Sequence, residues 1–105
     1  MTKKVTFKGG WWAEIRTRWP YEADTKIAGA WTFTNDQASL ERACTVTLQE
    51  SIINANLPDE KGEAIPFSSD MFGKIDGRIG RKLLTECRTL WTAWQEDTDP
   101  KDTEG

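Results

Sequence analysis

Apolar and polar side chains alternate over residues 3–7 and 11–18, on either side of Gly9-Gly10. A period of two over that length predicts a β-hairpin spanning residues 3–18. Side-chain facing selects the loop. A two-residue Gly-Gly loop pairs Val5 with Glu14 and puts a carboxylate on the apolar face. A three-residue loop, Lys8-Gly9-Gly10, pairs Phe7 with Trp11 and Val5 with Ala13. Val5, Phe7, Trp11, Ala13 and Ile15 then share one face, while Trp12, Glu14, Arg16 and Arg18 share the other. Trp12 is left among charges, with Arg16 placed to stack on it. A lone hairpin is marginal, so its apolar face must be covered.

Helical spacing takes over from Trp19-Pro20. Proline at the first helical position is pre-set in φ and gives up an amide that lacks a partner there, and Glu22 and Asp24 follow in the first turn. Ala23, Ile27, Ala30 and Trp31 form a narrow stripe over residues 20–33, with Gly29 expected to admit a close neighbour. Asp36 is the expected N-cap of a second helix. Its stripe, Leu40, Cys44, Leu48 and Ile52, runs to about Ala55, although Thr45-Val46-Thr47 would also suit a strand. Residues 57–63 are rich in turn formers and residues 64–67 read as extended chain. From Ser68 or Ser69, Phe72, Ile75, Ile79, Leu83, Cys87, Leu90 and Trp94 recur at spacings of three and four. Gly73, Gly77 and Gly80 predict a bend, or two helices, before the stretch from Arg81 to Gln95. Glu96 to Gly105 holds no apolar residue and reads as a flexible acidic tail. The expectation is an α+β, mostly helical fold: residues 1–95 as a single domain with the N-terminal hairpin packed on a small bundle of three to four helices, and 96–105 as tail.

Composition narrows the function classes. In 105 residues, 14 basic and 17 acidic side chains give a net charge of −3, which offers no general attraction for phosphate backbones or anionic lipid. The best basic cluster, Arg78, Arg81, Lys82 and Arg88, is interrupted by Glu86 and reads as the wet side of a helix. There is no histidine, and Cys44 and Cys87 lie far apart, so both are expected to be small core residues in a reducing compartment. Neither a secretory signal nor a run of transmembrane length is expected. Without histidine, catalysis would fall on carboxylates, lysine, tyrosine or cysteine, and none forms a recognisable constellation. Asp59-x-x-Gly62 lacks the alternating oxygen ligands of a calcium loop, and the late glycines lack a phosphate cradle's Gly-Lys-Ser/Thr. The expectation is a protein that is not an enzyme and holds no metal, cofactor or small-molecule substrate.

Six tryptophans in so short a chain need an explanation. Trp11, Trp31, Trp91 and Trp94 lie on apolar faces and suit core packing. Trp12 and Trp19 are harder to bury by pattern, and exposed indoles favour interfaces. Trp12, Trp19, Trp91 and Trp94 are therefore the candidate partner-binding residues.

The order of elements resembles that of small tail assembly chaperones of long-tailed bacteriophages. The segments that carry it are "FKGGWWAEIR", "RWPYEAD" and the stretch of Asp59, Gly62, Ile65, Pro66, Phe67 and Ser68 leading into the last helix. The likeness spans about residues 4–95 and is to the short, non-frameshifted form. It implies a non-catalytic homo-oligomer in the cytoplasm of the bacterial host, absent from the mature virion. It also implies two partners: the tape measure protein, whose apolar helices are kept soluble, and the tail tube protein that polymerises around them. Neither a nucleic-acid nor a membrane partner is expected. The alternatives are a structural virion component, such as a head–tail completion or minor tail protein, and a nucleic-acid or regulatory binding module.

Overall fold

A computed structural model of the chain describes residues 1–97. Its elements run β1 (Thr2–Thr6), β2 (Trp12–Arg16), α1 (Tyr21–Thr32), α2 (Gln37–Ser51), β3 (Ile52–Pro58), β4 (Ala64–Ile65), a 3-10 turn (Met71–Gly73) and α3 (Gly77–Asp97). The fold is α+β and mostly helical, with the expected N-terminal hairpin. That hairpin is half of a four-stranded antiparallel sheet ordered β1-β2-β3-β4.

The hairpin takes the three-residue loop. The Phe7 N–H donates to the Trp11 carbonyl at 2.8 Å, and Val5 lies opposite Ala13. Gly9 and Gly10 sit at φ +96° and +84°, where a side chain is strained. A Cβ at Gly9 would also come within 3.1 Å of the Trp11 ring nitrogen. Val5, Phe7 and Trp11 pack partly buried against the main core, in which Ala13, Ile15, Leu57, Leu83 and Cys87 are fully enclosed.

Helix α1 starts one residue later than expected, because Pro20 is extended (ψ 155°) and caps the helix from outside it. Its stripe is thin, burying Ala23 and Ile27. Gly29 departs from expectation: a Cβ there would meet nothing within 4 Å, so no neighbour approaches it. Glycine at this helical position carries only its entropic penalty. Gly29→Ala is expected to raise the unfolding free energy by about 0.5–1 kcal/mol, read as a higher urea midpoint at constant m.

Helix α2 opens with a capping box. The Ser39 N–H donates to the Asp36 carboxylate at 2.7 Å and the Asp36 N–H donates to the Ser39 hydroxyl at 3.2 Å. The bond from the Ser39 backbone holds the Asp36 carboxyl below its ordinary range. The helix stops at Ser51 rather than near Ala55, and the chain passes without a loop into β3. The Ile52 N–H closes the helix on the Leu48 carbonyl while its backbone is already extended. A bulge at Ile53 makes this turnover work. Glu14 lies opposite Asn54 but Ile15 lies opposite Ile52, so Ile53 is extruded and Ile52 is set against Ile15 in the core.

After β3, the Asp59 carboxylate accepts from the Lys61 and Glu63 N–H groups and forms a turn with Gly62 at φ +83°. The backbone bond from Glu63 chiefly lowers the Asp59 carboxyl below its usual range. The last helix does not begin at Ser68 or Ser69. The 3-10 turn buries Met71 and Phe72, the chain breaks at Lys74–Asp76, and α3 then starts at Gly77 with the Asp76 carboxylate accepting from the Arg78 N–H. The bend foreshadowed by three glycines is real. Glu96 and Asp97 belong to α3, not to a tail; the rest of that expected segment lies outside the described residues. No helix among the described residues is long and apolar enough to cross a membrane.

Candidate partner-binding surfaces

The tryptophans fall into three environments. Trp19 was expected at a surface and is instead 4% exposed, its ring 5.4 Å from that of Trp94 and its N–H donating to the Ser51 hydroxyl at 3.1 Å. Trp31 donates to the Thr47 hydroxyl at 2.8 Å and lies under the Arg88 guanidinium. Trp91 donates to the Asp24 carboxylate at 2.8 Å. Together with Trp94 they surround Ala23 and Ile27 in a second core, which fastens α1 to α2 and α3. The structure therefore brings three of the four nominated residues, Trp19, Trp91 and Trp94, into one packed cluster. Trp91 and Trp94 remain half-buried; Trp19 is removed from any surface.

Trp12 alone stands apart, on the side of the sheet opposite the main core. The Lys4 ammonium lies 4.6 Å from its ring centre, across the strand pair. Arg16, the residue expected to stack there, is drawn away by the Glu50 carbonyl, to which its Nε donates at 2.9 Å. Helix α2 must pass into β3 beside it, and the carbonyls of its last turn lack helical partners, so a guanidinium is better used there.

A different apolar surface went unforeseen. The buried face of α2 consists of Ala43, Thr47, Leu48 and Ser51. The stripe that looked like its core face, Leu40, Cys44 and Leu48, lines one wall of an open groove of about 520 Å³, with Phe72, Ile75 and Leu84 on the other side. Leu40 is 39% exposed and Cys44 is half-buried, so Cys44 is not the enclosed core residue expected. A Cβ on Gly73 or Gly77, both on the rim, would meet no atom within 4 Å. The signal was in the sequence as a period of four, but periodicity says which residues share a face, not what covers it.

The titratable groups serve structure. Burial pushes the Cys87 thiol up to about 12, the Ser51 hydrogen bond opposing this and the Glu86 charge adding to it. A thiol so held is a poor nucleophile. Asp24 is occupied by the Trp91 and Gln95 side chains. Among the described residues no group of three or more Cys, Asp or Glu side chains is placed to hold a metal ion. No protein-family model, curated protein or solved structure matches the chain.

Proposed function

We propose that the protein is a non-catalytic binding protein that takes an apolar helix into the groove between α2 and the start of α3. In its most specific form the proposal is a tail assembly chaperone of a long-tailed bacteriophage. It would act as a homo-oligomer in the host cytoplasm, shielding helices of the tape measure protein until tail tube subunits assemble. The observation that carries it is the stripe of exposed Leu40, half-buried Cys44 and buried Leu48 facing Phe72, Ile75 and Leu84 across an unfilled groove. Apolar side chains repeating every four residues, opposite a wall left low by glycines, match the way an amphipathic helix lays its apolar face into a partner. The resemblance in element order supplies the identity of that helix.

The test is co-expression with the long helical protein encoded nearest downstream, followed by affinity capture and sizing of the complex. A soluble complex with several copies per partner, where the partner alone precipitates, is the expected result. Leu40→Asp separates binding from folding. It places a charge at the groove's exposed wall, so capture should fall by about tenfold or more while the urea midpoint moves by less than about 1 kcal/mol equivalent. A partner that stays insoluble, or capture indifferent to Leu40→Asp, ends the proposal.

A further inference from the structure

The hydrogen-bond phase of the hairpin leaves one side of β1 unpaired. Phe7 donates to Trp11 and Thr17 donates to Met1, so Met1, Lys3, Val5 and Phe7 are the positions bonded to β2. Alternation in an antiparallel pair then turns the N–H and C=O groups of Thr2, Lys4 and Thr6 outward. β1 is the terminal strand of the sheet, and among the described residues nothing pairs with that edge. An edge of this kind is a template for another strand.

Charge limits what can use it. A groove of about 560 Å³ runs beside the edge, between Val5–Lys8 and the α3 residues Arg81, Lys82, Thr85 and Glu86. Lys8, Arg81 and Lys82 line it against the single carboxylate of Glu86, which Lys3 meets at 3.4 Å. In a chain of net charge −3 this is a local excess of cations. A second copy of β1 is a poor occupant, because antiparallel pairing of two copies brings their Lys3-Lys4 pairs together. Nucleic acid would use the cations but leave the outward amides and carbonyls without partners.

We infer that the β1 edge accepts an acidic, extended segment of a partner protein as a fifth strand, its backbone pairing with Thr2, Lys4 and Thr6. Alternate side chains of that strand point over the groove, where carboxylates meet Arg81 and Lys82, while the intervening apolar side chains lie on the opposite face, beside Thr2, Lys4 and Thr6. The site shares Arg81 with the α2–α3 groove but does not depend on a helix binding there.

A dye-labelled, capped octapeptide of alternating Glu and Val tests this by fluorescence anisotropy on the full chain. It is expected to bind about tenfold or more tightly than its Lys/Val counterpart, and to weaken several-fold as NaCl rises from roughly 50 to 300 mM. N-methylation of alternate peptide amides, in the register that faces β1, should abolish binding. Thr6→Pro removes an outward N–H while leaving the bonds to β2 intact, as proline permits on an edge, and should weaken binding about fivefold or more. Arg81→Glu combined with Lys82→Glu, both exposed, should abolish it without lowering the thermal midpoint. Equal binding of the N-methylated peptide would reduce the edge to a patch of charge and overturn the inference. So would equal binding of the Lys/Val peptide, or no binding at millimolar concentration.

Discussion

Trp19→Ala is expected to lower the unfolding free energy by about 3–5 kcal/mol, the range for truncating a large buried aromatic residue. Trp12→Ala is expected to cost less than about 1 kcal/mol, the scale of its contact with Lys4. The contrast follows from position. Trp19 sits where α1, the end of α2 and the last turns of α3 converge, against the Trp94 ring and with its N–H on Ser51. Truncation leaves a cavity and takes away the donor that the buried Ser51 hydroxyl accepts. Chains of this size are stable by only about 5–15 kcal/mol, so the loss is a large share of the total. Urea unfolding followed by circular dichroism measures it, because the transition midpoint and slope are read from loss of the helices and not from the indole removed. Trp19→Phe keeps the ring contact and loses the hydrogen bond, so a loss of about 1–2 kcal/mol is expected for that variant. A Trp19→Ala midpoint equal to wild type would return Trp19 to the surface, where sequence pattern had placed it.

The need for this second core is visible in α1 itself, whose buried face is only Ala23 and Ile27. Two small contacts do not hold a helix of 12 residues, and indoles from before α1 and from α3 make up the area. Sequence pattern located Trp31, Trp91 and Trp94 on apolar faces correctly, because each belongs to a helical stripe. It misplaced Trp19 because that residue lies in a connection between a strand and a helix, where no period exists to orient it. Its burial depends on Ser51, 32 positions away, and no local pattern reports a contact of that range.

Much of the hairpin was legible down to its register, since facing and turn chemistry agree on one answer at Val5–Ala13 and Gly9-Gly10. β3 was not. Asn54, Ala55 and Asn56 are weak strand formers, the bulge at Ile53 breaks the alternation, and Ile52 extends the period of α2 by one further step. Recognising β3 required knowing that β2 needed a neighbour on its other side. The two proposed docking surfaces share this character. The α2–α3 groove is open because Ala43 and Thr47, not Leu40 and Cys44, lie on the buried face of α2; the free side of β1 exists because β3 pairs with β2 instead. Both are consequences of assembly rather than of any segment.

Stability should fall in alkali through one thiol. Cys87 is fully buried, and burial is the main cause that lifts its ionisation from 9.0 to about 12, with Glu86 adding and Ser51 opposing. Between those values the unfolded chain has released the thiol proton and the native protein has kept it. Rising pH therefore draws the equilibrium toward the unfolded state. The contribution is fully present below about pH 9, then falls by about 1 kcal/mol per pH unit, reaching a few kcal/mol near pH 12. Cys87→Ala isolates this slope, because every other group is common to the two proteins. At neutral pH the variant should be the less stable by about 1–2 kcal/mol, having lost a sulfur from a closed core. Above pH 9 the gap should narrow and then reverse, so that the two stability curves cross before pH 12. Parallel curves for wild type and Cys87→Ala would show that the thiol ionises alike folded and unfolded, and that water reaches Cys87 between Leu83 and Ser51.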